Sequence, residues 1–448
     1  MKSVAILYVF AASVLVLAGC RGIQTPAEKQ ARRDFGVVTG KYRPGDRPAA
    51  LPELTPDSSL SNFLAYALLN SPTVEAAYYD WSASVENITV TRSLPDPQLT
   101  FQSYIQHTLT SLMPGFAWSF PGPGKLPARA RVAAAESEGK YFGFESALLE
   151  AAFDLKKAYY KLGLLEEQLR VNRETLALLD NLARAIRAQN ETGQATLPDL
   201  LRVQSDRDRV RTDLANLEDS RRSLLDHFKA ALGLTPQQPD PPTPAHFEMS
   251  RDNPDTDEVL RIAFANNPQL KAMEAGVRAA EGGIAMAYKE RMPDFNAGLS
   301  AEVYHPPFYW PQVGMTLPIW RDKLAAEIAQ AKANELAATT RLKAAQIDLA
   351  VSFAEKSFAY RETGRNQTLF EDELIPKASQ ALETVRAGYR VNSMDFSSLT
   401  DAERRLLDLR LDAAEARTEH QISLAELSLM VAGVPPPGAP ILAENHWP

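Results

Sequence analysis

The sequence predicts a mainly α-helical chain that also contributes to a membrane β-barrel, built by duplicating one unit of helix, β-hairpin and long helical hairpin. Three observations predict it. Two stretches alternate apolar and polar residues with the period of two that marks a strand with one buried face. Each lies between long helical patterns, one of which carries a heptad stripe. The order of signals in the first half returns in the second.

The first twenty residues are an address. Lys2 is followed by an apolar run from Val4 to Leu17, too short for a spanning helix of about 20 residues, and then by Leu17-Ala18-Gly19-Cys20. Residues 1–19 are read as a secretory signal peptide. Leu-Ala-Gly-Cys resembles the bacterial lipobox, in which the cysteine is acylated and becomes the mature N-terminus. Cys20 is the single cysteine of the chain, so it has no partner for an internal disulfide. It is the expected lipid attachment site. Arg21 stands where an Asp is the usual inner-membrane retention signal in enteric bacteria, so the resemblance favours the outer membrane. One acyl chain anchors only marginally, and stable attachment needs further chains or further insertion.

From Arg21 to Pro56 proline, glycine and charge dominate without sustained periodicity, so residues 20–58 read as an extended, lipidated arm. The first repeat is expected over 59–235. A helical pattern starts near Ser59, is interrupted at Asn70-Ser71-Pro72 and ends at Leu94-Pro95-Asp96-Pro97. Leu99, Phe101 and Ile105 then alternate with Gln98, Thr100, Gln102, Tyr104 and Gln106, and Phe116, Trp118 and Phe120 with Ala117 and Ser119. This places strands at about 97–120. Pro121-Gly122-Pro123-Gly124 breaks the chain before a helix from roughly Pro127 to Gln189. Leu148, Leu155, Leu162, Leu169 and Leu176 recur there every seven residues, with Ala151, Ala158, Leu165, Leu179 and Ile186 in the second seam position. At 1.5 Å per residue such a helix is about 90 Å long. After a turn at Glu191-Thr192-Gly193, Val203, Val210, Leu217 and Leu224 repeat at seven again, as expected of an antiparallel return that stops at Leu232-Gly233.

Residues 236–256 form a proline-rich linker, and 257–434 repeat the first half. Ala263 to Pro268 parallels Ala67 to Pro72, Met292-Pro293-Asp294 parallels Leu94-Pro95-Asp96, Thr316-Leu317-Pro318 parallels Ser119-Phe120-Pro121, and Ala387-Gly388 parallels Thr192-Gly193. In the second hairpin, at about 295–317, Phe295, Ala297, Leu299, Ala301 and Val303 alternate with Asn296, Gly298, Ser300, Glu302 and Tyr304. Val313, Met315 and Leu317 alternate with Gln312, Gly314 and Thr316. Long helices again fill about 323–432, and 435–448 is a C-terminal tail.

Four strands cannot close, and an open edge in a bilayer leaves backbone groups unsatisfied at several kcal/mol each. If the hairpins enter a membrane the chain must therefore oligomerise. A dimer would give eight strands and a trimer twelve, and periodicity alone does not choose between them. Two hairpins resting on a soluble helical body are the alternative, although Gln98, Gln102, Asn296 and Glu302 fit a water-filled lumen better than a core. Tyr304, Phe308, Tyr309 and Trp310, interrupted by Pro306, Pro307 and Pro311, suit a membrane-interface girdle and an external loop.

The ordered set of lipobox, arm, duplicated unit and Leu317-Pro318-Ile319-Trp320 resembles the TolC family of outer-membrane efflux ducts across essentially all of the mature chain. The resemblance implies a homotrimer with a twelve-stranded barrel in the outer membrane and a twelve-helix periplasmic α-barrel. It implies a periplasmic adaptor and an inner-membrane pump of the RND type as partners. The lipobox resembles the family's lipoprotein branch, and Pro123-Gly124-Lys125 its metal-efflux branch. The function expected is a passive exit duct for small molecules or metal ions in a tripartite efflux system. A type I protein-secretion duct and a lipid-anchored periplasmic coiled-coil scaffold without a pore are the rivals.

The family's tunnel is pinched at the helical turns furthest from the barrel. Here Gly388-Tyr389 and Asp401 match its turn tyrosine and one constriction carboxylate, while Met394 and Ser398 stand in place of its gate arginine and second carboxylate. That leaves Tyr389, Asp395 and Asp401 as the candidate gate, with an acidic ring at Asp401 joined by Asp395. Gly193 and Asp199 match the first-repeat turn and, with Gly388, are the candidate adaptor contacts. The alternative has Asp395 and Asp199 capping the returning helices and Asp401 on a solvated face.

Enzymatic chemistry is not expected. Gly122-Pro123-Gly124-Lys125-Leu126 fails as a phosphate loop, because its first glycine falls on Ser119 and the hydroxyl after lysine on Leu126. The six histidines lack zinc spacing, so neither a metal site nor a cofactor is expected. A net charge of -8 argues against a nucleic-acid partner.

Overall fold

The four strands form one antiparallel sheet in the order β1-β2-β3-β4, in a computed structural model that describes residues 24–43, 45, 47–106, 108–192, 196–250, 255–302, 308–391 and 393–430. In chain order the elements are α1 (Pro26–Tyr42), α2 (Leu60–Asn70), α3 (Pro72–Arg92), β1 (Gln98–Gln106), β2 (Thr108–Phe120), α4 (Lys125–Glu191) and α5 (Leu197–Ala231). The second repeat supplies α6 (Thr256–Asn266), α7 (Pro268–Lys289), β3 (Phe295–Glu302), β4 (Phe308–Met315), α8 (Arg321–Thr368), a π-helical turn (Leu369–Leu374), α9 (Ile375–Arg390) and α10 (Phe396–Ser428). Cys20, Gly193, Tyr304, the signal peptide and the tail lie outside the described residues.

The chain divides into two compact units. One combines residues 1–47, 76–144 and 268–346, and so holds the sheet. The other combines 48–75, 145–267 and 347–448, and holds both helical turns.

In the sheet unit, pairing fixes which residues share a face. Leu99 opposes Phe116, Phe116 opposes Leu299, Trp118 opposes Ala297, and Ala297 opposes Val313, so the apolar positions of all four strands align on one side. That side is bare: Phe101 is 64% and Val313 87% exposed. Thr100, Gly115 and Ser300 align on the other side, as do Ser119 and Asn296.

The strands join the helices at an ionic knot. Lys125 Nζ lies 2.9 Å from both Glu290 Oε2 and Asp294 Oδ1, and Asp294 also accepts the Gly122 N–H at 2.7 Å. Lys125 is buried, which alone would lower its pKa, but the two carboxylates outweigh burial and raise it. Gly122 is required by close approach, since a Cβ there would come 2.6 Å from the Pro293 carbonyl oxygen.

The segment expected to be an extended arm contains α1. Its start is specified by Thr25, whose hydroxyl accepts the Glu28 N–H, and by Pro26 in the first turn. The helix lacks an internal apolar rhythm because it docks through Glu28, which is fully buried and pairs with Arg92 and Arg32 while accepting from Thr89. Phe35 stacks on Tyr78 and meets Trp81 edge-on.

In the helical unit the heptad leucines form the core. Leu155, Leu162, Leu165 and Leu169 are at most 2% exposed, and Leu179 and Ile186 pack with Val203 of α5. Residues 246–248 of the linker are held against α4. The Tyr159 hydroxyl accepts the Glu248 N–H and donates to the His246 carbonyl, while the Tyr159 ring meets Phe247. The helical stretch that begins at Arg321 changes pitch at the π-helical turn, where Ile375 N–H bonds back to the Phe370 carbonyl. Pro376 explains the change, because it lacks an N–H and crowds the carbonyl four residues earlier.

Burial pushes the Glu28 carboxyl up, but its bonds to Arg92, Thr89 and Arg32 prevail and hold it below the ordinary glutamate value. The stabilisation is therefore complete above the unfolded value of about 4.3 and is lost as pH falls through the lower folded value. Glu28→Gln should loosen α1 by about 3 kcal/mol, because buried arginine is left unpaired. Hydrogen exchange of the α1 amides reads this out: protection should fall in the variant at neutral pH, and in the parent only on acidification.

Candidate functional site: the helical turns

The two turns are built alike. α5 starts at a capping box in which Thr196 and Asp199 bond each other's backbone N–H, and α10 starts at Asp395, whose carboxylate accepts the Ser398 N–H at 3.0 Å. Bonds from Ser398 hold the Asp395 carboxyl below the usual aspartate value. Asp199 and Asp395 are thus occupied by the helix starts. Gly388 closes the second turn, its carbonyl accepting N–H bonds from Val391, Ser393 and Met394. The Met394 side chain folds back over Gly388, so that a Cβ on Gly388 would come 2.6 Å from Met394 Cγ.

Asp401 is neither bare nor merely solvated. Arg202 of α5 reaches across to it, Nη2 to Oδ1 at 2.6 Å, and the other guanidinium nitrogen donates to Ser397 Oγ at 2.9 Å. A second pair, Arg404 to Asp206, repeats the link with its charges exchanged one turn further on. Tyr389 contributes a long hydrogen bond, its hydroxyl donating to Gln189 Oε1 at 3.4 Å, and its ring packs on the cluster of Leu382, Leu399 and Leu406. Arg386 Nη2 lies 2.8 Å from Glu403 Oε1, which raises the arginine pKa. The candidate gate residues Tyr389, Asp395 and Asp401 therefore sit at one set of turns, but each has a different bonding role.

Sequence reasoning missed Arg202, Arg404 and Asp206. The signal was present. Arg202 and Asp401 are 199 residues apart, the spacing that also separates the N-caps Thr196 and Asp395, so aligning the repeats places opposite charges at equivalent positions.

Among the described residues no three His, Cys, Asp or Glu side chains are grouped to hold a metal ion, and no helix is long and apolar enough to cross a membrane. The turns provide charged helix ends and a tethered pair.

The model of the outer membrane efflux protein family matches the chain twice, over residues 64–234 and 259–433. The chain belongs to the outer membrane efflux protein family. The two matches correspond to the two repeats. Members of this family are passive channels, not enzymes. One relative is the pyoverdine export outer membrane protein OpmQ of Pseudomonas putida, 24% identical over 281 residues, or 60% of this chain. The matched part spans 57% of that relative's length.

Two solved structures share the fold. The outer membrane protein VceC of Vibrio cholerae is 15% identical with a TM-score of 0.67, covering 83% of this chain and 95% of its own. The MtrE outer membrane channel of Neisseria gonorrhoeae, in its open state, is 16% identical with a TM-score of 0.72, covering 86% and 96%.

Arg202 and Asp401 are 44% and 55% exposed, so their bond should be weak and screened by salt. A double-mutant cycle of Arg202→Ala and Asp401→Ala, read as hydrogen exchange in the first turn of α10, should give a coupling of about 0.5 kcal/mol at low salt. In 1 M salt the coupling should vanish.

Proposed function

We propose that three copies of this chain close a twelve-stranded barrel in the outer membrane and conduct small molecules from the periplasm to the exterior, when an adaptor and an inner-membrane pump engage the helical turns. The observation that carries this reading is the sheet, with one bare apolar face and two outer strands, β1 and β4, available for pairing. In a bilayer those edges must be paired, and a second copy supplies the complement. Cys20 supplies the lipid anchor. The relative named for pyoverdine export favours a small organic cargo over a protein. Arg202 and Asp401 tether the two hairpins of one chain near the pore entrance, and Tyr389 and Asp395 support the same turns. Separating the hairpins breaks the tether and widens the entrance.

The repeat also supplies the register between copies. Inside one chain Phe116 opposes Leu299 and Gly115 opposes Ser300. Carried through the parallels between Ser119 and Thr316 and between Asp294 and Asp96, the same pairing sets Val313 against Phe101 of the next copy and Gln312 against Gln102. Apolar then meets apolar, and polar meets polar, on the faces already defined.

The test pairs bilayer conductance and detergent mass with crosslinking of the double variant Gln102→Cys, Gln312→Cys. Oxidation should link three chains, since directly opposed strand residues lie within disulfide reach, whereas Gln98→Cys with Gln312→Cys should not. A monomer without conductance would overturn the duct, and a conducting trimer without the expected link would overturn only the register. Arg202→Ala and Asp401→Ala should each raise conductance; unchanged conductance in both would remove the tether from the gate.

A further inference from the structure

β4 opens with three aromatic residues in succession, Phe308, Tyr309 and Trp310, and the register divides them. Ala301 opposes Tyr309, which therefore stays on the apolar face. Glu302 opposes Phe308 and Ser300 opposes Trp310, so these two share the polar face, in the row that continues through Gly115 to Thr100. Of the three, Tyr309 alone shares the apolar face that an interface girdle would use.

The two rings form a pair. Their centroids are 5.1 Å apart at 59°, and they are 58% and 48% exposed. Ser300 beside them is only 5% exposed, although it lies on a face of polar residues, and its hydroxyl donates to the Trp310 carbonyl at 3.5 Å. Gly115 contributes no side chain to this row; a Cβ there would meet Ser300 Cβ at 2.8 Å and Thr100 Oγ1 at 3.0 Å. The polar face is therefore closed over at the hairpin end of the strands, with rings uppermost and the Glu302 carboxylate adjacent in register. Toward the helical end the same face carries Gln98, Ser119, Asn296 and Gln312 instead.

We propose that Phe308, Trp310 and Glu302 form a binding collar for ring-bearing organic cations at the exit end of the lumen. This rests on the reading of the polar face as the wall of a barrel closed by three chains. An aromatic face attracts a cation through its quadrupole, Trp most strongly, and a neighbouring carboxylate adds charge selectivity. Three copies give six rings and three carboxylates at one level. Cargo leaving the lumen meets its last wall contact there.

The probes are benzyltrimethylammonium, which has ring and positive charge, and benzenesulfonate, which has a ring and the opposite charge. Each is added to the exterior side of purified channels in a planar bilayer. Benzyltrimethylammonium should reduce the current, and Phe308→Leu with Trp310→Leu should raise its half-blocking concentration about fivefold while the trimer mass stays unchanged. Trp310→Phe should restore most of the block, and Glu302→Gln should weaken block by the cation although both rings are in place. Benzenesulfonate should block weakly in all variants. Equal block of the parent by both probes, or unchanged block by the cation in the Leu variant, would overturn the collar. Absence of any conductance in the parent would overturn the collar together with the barrel reading, and conductance with ring-independent block would overturn the collar alone.

Discussion

Backbone hydrogen bonding at the two edges of the sheet is the constraint on which the rest depends. The strands pair with one another from β1 to β4, and the alternating apolar positions share one face, with Phe308 and Trp310 set apart on the other. Such a sheet is poorly suited to water, where the bare face would aggregate, and to a bilayer, where the edges would be unsatisfied. In the proposed barrel, closure with other copies would answer both difficulties together. Duplication makes the answer economical, because the contact that joins β2 to β3 inside one chain can be used again between chains.

The sheet must also be held at a fixed angle to the helices that follow it. The buried Lys125, bonded to Glu290 and Asp294, performs that task by tying the end of β2 and the start of α4 to the residues just before β3. A buried ion pair is a poor source of net stability, but an unpaired buried charge is costly, so the knot admits one arrangement and excludes others. The pairing of Glu28 with Arg92 and Arg32 does the same for α1.

Periodic features were legible in the sequence. Leucines at spacing seven predicted α4 and its partner, and alternation predicted the strands, because burial on one face writes itself directly into residue order. What escaped were contacts made by single charged residues. α1 docks by Glu28 and a few rings, which leave no periodic trace, so its segment read as extended. At the turns, Asp401 was visible as a carboxylate, but its partner Arg202 lies 199 residues away, beyond any local pattern. Asp395 and Asp199 carry the N-cap signature, which is local and was readable as one of two alternatives.

The π-helical turn at Leu369–Leu374 has a consequence for how far the two repeats are interchangeable. A wider turn inserts an extra residue into the helical count, and one residue advances the helix by about 100°. The apolar stripe of α8 therefore cannot continue in phase into α9. α4 runs through the corresponding region without such a break. Each hairpin thus arrives at its turn in its own angular phase, and a ring of six hairpins would alternate between two kinds of helix pair rather than repeat one.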